Sequence, residues 1–267
     1  MTHALNLVSL APTQTEIIAA LGMTGRLTGV TDNCDYPPEV RTIPRFGSWY
    51  SPDIQAVIEA EPDLVFTFGS HQEEIATALK EAGLGVYHSE PPTIAAAMAS
   101  MGEIAALIGR EEEWAVLAAS LNSRLDRIRE KVTGRIRRPS VLRIMTWSPL
   151  VTPGPGAFQH DVIEFSGGRN VAGDGPAAYF VCNRAEIAAR DPEVIFFCGQ
   201  EIGTMLVNDS EWKNVSAVRF NRIHIHDCGL TCRSGPRIVE MAERLNQSLM
   251  SIRCRSAGGE PLHLTQG

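Results

Sequence analysis

The strongest constraint on the fold of this chain is an almost uninterrupted helical pattern in the middle of the sequence. It runs from Thr93 to about Val132 and is broken only at Gly109. In its second part, apolar residues recur every three or four positions, the spacing of one helix face. These residues are Trp114, Leu117, Leu121, Leu125 and Ile128. A helix of about 22 residues is roughly 33 Å long, which is enough to connect two lobes.

Short apolar runs on both sides of this helix predict the strands of two sheets. The strand patterns are LNLVSL, RLTGVT, DLVFTF and GVYHS before it, and SVLRIMT, EVIFFCG and RIHIHD after it. Predicted helices separate the strands, and such alternation implies parallel pairing in a layered α/β unit. We therefore divide the chain into an N-terminal α/β lobe (1–109), a long linking helix (110–134) and a C-terminal α/β lobe (135–267).

Local signals predict where several helices begin. Thr13 and Glu16 have the spacing of a capping box, so we expect Thr13 to cap the first helix. Ser51 and Pro52 are expected to open the second helix. The segment SEWKNVSAV (210–218) is predicted to be one short helix.

Composition excludes two classes of partner. The chain has 267 residues, a net charge of −7 and no basic run interleaved with aromatic residues, so no nucleic-acid partner is expected. No apolar run approaches the ~20 residues that cross a membrane, so no membrane span is expected.

The first residues lack the basic and apolar segments of an export signal. We therefore expect a cytoplasmic protein, or a periplasmic or extracellular one if a signal segment has been trimmed.

Nothing in the sequence carries a recognisable catalytic motif such as G-x-S-x-G, a P-loop or H-E-x-x-H. His224 and His226 share one face of a strand, but two ligands do not make a metal site. Six irregularly spaced cysteines favour a reducing compartment over a disulfide scaffold. Among them, Cys198 ends the apolar run VIFFC and is expected to be a buried free thiol.

Cys228 and Cys232 form a C-x3-C pair, which is looser than the C-x2-C of zinc sites. We predict a non-enzymatic protein with no metal site and no covalently bound cofactor. The alternative of another class is a thiol-dependent small-molecule enzyme that uses Cys228 and Cys232.

Five segments occur in a characteristic order along nearly the whole chain. They are VSLAPTQTEIIAALG, GVTDNCDYPPEV, FGSWYSPDIQAVIEAEPDLVF, the long mid-chain helix and DCGLTCRSGPRIVEMAERL. This set resembles the helical-backbone (class III) substrate-binding proteins of ABC importers, in particular the cobalamin-binding branch. The resemblance implies two Rossmann-like α/β lobes with mainly parallel sheets, one long backbone helix between them, and a ligand cleft between the lobes.

Loops at the carboxyl ends of parallel strands form the cleft in such a fold. By this rule the predicted ligand-binding residues are Ser9, Asn33, Cys34, Tyr36, Trp49, Tyr50, Phe68, Trp147, Tyr179, Phe180, Cys228 and Arg233. The resemblance places a cleft tryptophan at Trp49. Flat aromatic walls suit a large, rigid, mostly neutral ligand, so we predict cobalamin or a related corrinoid.

Two ligands of the same class stay open as alternatives. Haem needs an axial Tyr, His or Cys, for which Tyr36, Cys34 and His71 are candidates. A ferric siderophore favours converging arginines, for which Arg233 is a candidate. Arg237 is instead expected to hold the loop at the start of the last helix. Cys34 is also a candidate third thiol opposite Cys228 and Cys232.

The resemblance further implies an ABC permease as partner, contacted through one docking glutamate on each lobe. Gln55 and Ala185 occupy the corresponding positions, so both docking acids are absent. Asp53 and Glu186 are near enough to substitute if the alignment shifts by a residue or two. We therefore expect a relative that binds its ligand without feeding a permease.

Overall fold

The computed structural model describes residues 5–252 and confirms two α/β lobes with parallel sheets. The elements of the N-terminal half are β1 (Leu7–Ser9), α1 (Pro12–Ala20), β2 (Leu27–Val30), α2 (Ile54–Glu59), β3 (Leu64–Phe68), α3 (Glu73–Glu81), β4 (Val86–Ser89), α4 (Ile94–Leu107) and α5 (Glu111–Val132). The strands pair in the order β2-β1-β3-β4, and every pair is parallel. Their carboxyl ends therefore share one edge of the sheet.

Helix α5 is the long helix that the sequence predicts, with 22 residues. Its first turn carries Glu111, Glu112 and Glu113, and its last turn carries Arg129 and Lys131. Negative charge at the N-terminus and positive charge at the C-terminus both complement the helix dipole. The division at residues 109 and 134 stays our proposal for the domain boundaries.

The C-terminal half repeats the parallel arrangement and adds a small second sheet. Its elements are β5 (Ser140–Arg143), β6 (Thr146–Trp147), β7 (Leu150–Pro153), α6 (Phe158–Phe165), β8 (Arg169–Asn170), β9 (Tyr179–Val181), α7 (Arg184–Ala189), β10 (Val194–Phe197), α8 (Gln200–Asn208), α9 (Ser216–Arg219), β11 (Ile223–Ile225), α10 (Cys228–Thr231) and α11 (Ile238–Ser251). The main sheet has the order β11-β10-β5-β8 and is parallel throughout.

The small sheet has the antiparallel order β6-β7-β9 and was not predicted. Strands β6 and β7 pair across a two-residue connection, Ser148-Pro149. This connection lacks the Asn-Gly or Asp-Gly signal by which such hairpins are recognised. The sheet matters for the site because β9 carries Tyr179 to the edge of the lobe.

One apolar cluster runs through both lobes and joins them. It includes Phe66 of the first sheet, Leu121 and Leu125 of α5, and Val141 and Phe196 of the second sheet. Two smaller clusters cover the outer face of each sheet. Because tightly packed cores resist deformation, the shared cluster holds the two strand edges in a defined relation.

Three boundary predictions were wrong. The chain caps α1 at Ala11, without a side-chain bond, because Pro12 occupies the first turn and Glu16 is engaged elsewhere. Helix α2 begins after Asp53, whose carboxylate accepts a hydrogen bond from the Ala56 N–H. The segment 210–218 forms a 3-10 turn and the separate short helix α9. Helix α8 was not predicted.

No helix in the described part of the chain has the length and apolar composition that crossing a membrane requires.

Candidate functional site

The carboxyl edges of the two sheets meet at a pair of arginines that reach from the C-terminal lobe to the N-terminal lobe. Arg233 lies 2.7 Å from Glu16 and 2.8 Å from Asp35. It also donates a hydrogen bond of 3.2 Å to the carbonyl oxygen of Asn33. The Glu16 side chain is only 2% exposed. A buried carboxylate of this kind needs cationic partners, which both arginines supply.

Arg237 completes this bridge between the lobes. It donates hydrogen bonds of 2.8 and 2.6 Å to the two carboxylate oxygens of Glu16, and its guanidinium stacks 3.9 Å from the ring centre of Tyr36. The bidentate geometry fixes the loop before α11, as predicted. Tyr36 is 43% exposed, so part of its surface is still open beside the bridge.

Three rings form an aromatic group on the rim of the N-terminal lobe, where "rim" means the carboxyl edge of a lobe's sheet and the loops that follow it. The ring centres of Trp49 and Tyr50 are 4.7 Å apart, and His71 lies 5.6 Å from Trp49 and 5.5 Å from Tyr50. Tyr50 is 65% exposed. The aromatic group therefore presents ring surface to whatever enters the cleft.

Side chains of neighbouring loops hold the aromatic group in place. The Asn33 carbonyl oxygen Oδ1 accepts a 2.8 Å hydrogen bond from the Trp49 N–H, and Gln72 donates one of 2.8 Å to the Trp49 carbonyl. Gln72 also accepts a hydrogen bond from the N–H of Phe68, at the end of β3. Asn33 thus acts on the predicted site through Trp49.

On the opposite rim, Tyr179 is the aromatic side chain with a defined polar contact. Its hydroxyl donates a 2.8 Å hydrogen bond to Gln159. Burial of the hydroxyl raises the pKa of Tyr179 to about 12, so the phenol stays neutral at physiological pH. Phe180 points the other way along β9, and its ring lies against the backbone of Gly154 and Gly175.

Three residues that were predicted to bind the ligand are buried, which contradicts those predictions. Ser9 is 0% exposed, Cys34 is 1% exposed and Trp147 is 5% exposed. Ser9 and Cys34 both bind the Thr15 hydroxyl behind the cleft wall. Trp147 packs inside the C-terminal lobe with its ring centre 5.1 Å from that of Trp212. These side chains support the walls and have no surface for a ligand.

The thiol cluster lies at the carboxyl edge of the second sheet and consists of Cys198, Cys228 and Cys232. The sulfur atoms lie within 4.8 Å of one another, with separations of 3.4 Å for Cys228–Cys232 and 3.7 Å for Cys198–Cys232. Two predictions were wrong here. Cys34 is not the third thiol, and Cys198, although a free thiol as predicted, is only partly buried. Strand order was the missing information, since β10 and β11 are neighbours.

A buried cation lies beside the thiol cluster. Arg143 is fully buried, and its guanidinium lies 3.5 Å from the Cys198 sulfur and 3.4 Å from the Cys232 sulfur. Hydrogen bonds from the neighbouring thiols, reinforced by Arg143, lower the pKa of Cys198. The same coupling raises the pKa of Cys228.

A comparison with known protein families identifies the family of this chain. Residues 7–227 match the model of the family described as periplasmic binding protein. The chain belongs to this family. Its members are substrate-binding proteins of the ABC-importer type and are not enzymes.

Three comparisons place this periplasmic binding protein among its relatives. It is 26% identical to the vitamin B12-binding protein of Photorhabdus laumondii over 246 residues, which are 92% of this chain and 88% of the relative. The structure of the periplasmic vitamin B12 binding protein BtuF of Vibrio cholerae aligns with a TM-score of 0.83 at 22% identity, covering 92% of this chain and 97% of that one. The apo structure of the periplasmic heme-binding protein RhuT from Roseiflexus sp. RS-1 aligns with a TM-score of 0.81 at 23% identity, covering 92% and 98%.

The two positions expected to carry docking acids are on the surface of this binding protein. Gln55 is exposed on α2 and donates a hydrogen bond to Glu59, and Ala185 is exposed in the first turn of α7. The Asp53 carboxylate caps α2 and so already has a partner. Glu186 is exposed beside Ala185.

Proposed function

We propose that this binding protein takes cobalamin or a related corrinoid in the cleft between its lobes, without catalysing a reaction. The observation that supports this most directly is the aromatic group of Trp49, Tyr50 and His71, which offers ring faces at the carboxyl edge of the first sheet. A relative named for vitamin B12 binding aligns over 92% of the chain. Both observations favour a large, flat, rigid ligand.

The charges at the cleft argue against an anionic ferric chelate. Arg233 and Arg237, the arginines that could bind such a ligand, are already paired with Glu16, and Arg233 also with Asp35. A guanidinium engaged in this way offers little further attraction to an anion, because its hydrogen-bond donors and charge are used. A mostly neutral ligand needs no such attraction.

Haem is the second candidate, favoured by the imidazole of His71 within the aromatic group. An exposed imidazole at the rim is a suitable axial ligand for haem iron. The fold of RhuT, named as a heme-binding protein, agrees with this candidate as well as with the first. The two candidates are therefore compared in one experiment.

The deciding experiment is titration of the purified full chain with cobalamin, cobinamide and haemin, followed by calorimetry and absorption. We expect a dissociation constant at or below about 1 µM for cobalamin or cobinamide, which corresponds to about −8 kcal/mol. A Soret shift with haemin, together with no heat from either corrinoid, would replace the corrinoid by haem. No response to any of the three would refute the proposed function.

The Trp49→Ala variant tests whether the aromatic group forms the binding wall. We expect affinity to fall about fivefold or more, because a stacked indole contributes on the order of 1 kcal/mol beyond its area. Trp114→Ala is the matched control, since Trp114 lies on α5 and packs against Gly102. Equal affinity of both variants would show that Trp49 does not contact the ligand.

We also propose that this chain does not dock on a permease through the acids implied by its resemblance to importer receptors. Neutral side chains at Gln55 and Ala185 remove the paired charges that set orientation and encounter rate. The cytoplasmic location stays a prediction, with a periplasmic or extracellular location as its alternative. Fractionation of the native organism tests it, and protein found outside the cytoplasm would contradict it.

A further inference from the structure

The sulfur atoms of the thiol cluster have the separations of a metal site. A tetrahedral ion with metal–sulfur bonds of about 2.3 Å places its sulfur ligands about 3.8 Å apart. The two measured separations are 3.4 Å for Cys228–Cys232 and 3.7 Å for Cys198–Cys232. The third pair, Cys198–Cys228, lies within 4.8 Å. The thiols therefore need to move by at most about 1 Å to bind one ion together.

Regular secondary structure brings these three thiols together. Cys198 directly follows β10, and Cys228 begins the short helix α10 that follows the neighbouring strand β11. Cys232 stands four residues after Cys228, so both side chains lie on one side of the helical turn. A 2.9 Å hydrogen bond from the Cys232 N–H to the Cys228 carbonyl closes this turn. Ligands on a turn of this kind are held close to their binding positions.

Arg143 is a buried cation that donates to two of the three sulfurs as well as to the Ile144 carbonyl and the Thr231 hydroxyl. Its side chain is 0% exposed, and no carboxylate among residues 5–252 forms an ion pair with it. A buried guanidinium is costly unless an anion pairs with it. The groups near it that can become anionic are the sulfurs of Cys198 and Cys232, at 3.5 and 3.4 Å.

We propose that Cys198, Cys228 and Cys232 bind one thiophilic divalent ion, of the class of Zn²⁺ or Cd²⁺, as three thiolates. Any thiol still protonated releases its proton to solvent as the metal–sulfur bond forms. Three thiolates, a divalent ion and the Arg143 guanidinium together carry no net charge. A monovalent ion would leave the half-buried site negative, so the charge balance favours a divalent one. The fourth tetrahedral position is left to a water molecule.

This metal site differs in its chemistry from the proposed corrinoid site, and Cys228 is the one residue predicted for both. Soft thiolates select ions such as zinc and cadmium over magnesium or calcium. The aromatic group contributes no ligand to it. Metal binding can therefore be measured in the absence of any corrinoid or haem.

The experiment is titration of the reduced, metal-free full chain with Cd²⁺ under anaerobic conditions, recording thiolate-to-metal charge-transfer absorption. Zn²⁺ is then added to displace Cd²⁺, and bound metal is counted by mass spectrometry. We expect one ion per chain and a higher melting temperature with metal. The variants Cys198→Ser, Cys228→Ser and Cys232→Ser should each weaken binding roughly 100-fold or more, since even outer partners of metal sites matter 10- to 100-fold.

Cys182→Ser is the matched control, because Cys182 is also a free cysteine of the same lobe but lies outside the cluster. It should bind Cd²⁺ like the unchanged chain. Arg143→Lys should weaken binding roughly tenfold while keeping the positive charge, since a lysine ammonium lacks the planar fork that donates to the sulfurs through Nη2 and to the Ile144 carbonyl through Nη1. Circular dichroism identifies any variant that fails to fold.

Two results would overturn the proposal. One is the absence of charge-transfer absorption from the reduced, folded chain. The other is full Cd²⁺ binding by Cys198→Ser, which would reduce the site to the Cys228–Cys232 pair. Rapid formation of a disulfide between Cys228 and Cys232 that Cd²⁺ does not prevent would also count against it, because a metal-bound thiolate is protected from oxidation.

Discussion

The rims of the two lobes are built on sheets of the same kind but carry different chemistry. Both sheets are parallel and present the carboxyl ends of their strands to the cleft. The N-terminal rim carries the aromatic group, whereas the C-terminal rim carries the thiol cluster and the buried cation Arg143. The comparison teaches that the fold decides where the site lies, while the loops decide what each wall can bind.

The two rims also differ in how their tryptophans are used. Trp49 packs on the exposed rings of Tyr50 and His71, at the surface of its lobe. Trp147 lies on β6, shortly after β5 of the other lobe, but turns inward, where it meets Trp212 and Arg184 lies over its ring. The tryptophan of the N-terminal lobe is therefore part of an accessible aromatic surface, whereas Trp147 of the C-terminal lobe is buried in the core of its own lobe.

The largest expected effect is the loss of stability on removing this inward indole. Trp147→Ala should lower the free energy of unfolding by about 3–5 kcal/mol, because it leaves a cavity in the core of the C-terminal lobe. Urea unfolding followed by circular dichroism measures the change. Tyr50→Ala, at an exposed position, should change stability by less than about 0.5 kcal/mol. A stable Trp147→Ala variant with lost ligand affinity would restore Trp147 to the binding wall.

The second-largest expected effect is a loss of stability on breaking the bridge of Glu16, Arg233 and Arg237 between the two lobes. Glu16→Gln removes the carboxylate that binds Arg233 and Arg237 and should cost about 3 kcal/mol, because both buried charges lose a partner. Asp126→Asn is the matched control, since the Asp126–Arg129 pair is exposed and contributes at most about 1 kcal/mol. Equal unfolding midpoints of the two variants would mean that the bridge does not hold the lobes together.

Acid should affect the C-terminal lobe more than the N-terminal lobe. Burial lowers the pKa of His226 to about 4, and burial also lowers the pKa of His224, with which it stacks. A lowered folded-state pKa means that stability is fully present above the unfolded value of about 6.5 and is lost as pH falls toward the folded value. The His224→Asn/His226→Asn double variant should therefore lose less stability than the unchanged chain as the pH falls.

Between about pH 7 and pH 5, the free energy of unfolding of the unchanged chain should fall by on the order of 1 kcal/mol more than that of the double variant. This figure allows for solvent screening of the two half-buried rings. His88→Asn is the control in the N-terminal lobe, because burial lowers the pKa of His88 as well. An equally reduced loss of stability in His88→Asn would show that the lobes do not differ in acid sensitivity.

The smallest expected effect is on the outer surfaces of both lobes. Gln55→Glu combined with Ala185→Glu should leave ligand affinity and stability unchanged within about 0.5 kcal/mol, because both positions are exposed. Calorimetry with the ligand identified by titration measures the affinity. A clear change in affinity would place these helices in contact with the cleft.

Much of the fold could be predicted because its signals are local. The apolar spacing of Leu121, Leu125 and Ile128 reports one buried face of α5 without knowledge of any other segment. The small sheet was missed because the Ser148-Pro149 turn has no common hairpin signature. Trp49 and Tyr50 were predicted from their place in the loop before α2, and Trp49 also from the resemblance. The structure brings their rings together with His71, and their contact with a ligand stays a prediction.

The sequence by itself determined the alternation of strands and helices and the long linking helix, and it led to the prediction that the site lies at strand ends. Those properties follow from periodicity and chain direction, which are readable within a few residues. Only the tertiary structure decided that Trp147 turns inward and that Cys198 joins Cys228 and Cys232. Cys198 and Cys232 are 34 residues apart, and pairing of β10 with β11 brings them to 3.7 Å. No local pattern encodes such a contact, because strand order is fixed by the packing of the whole lobe.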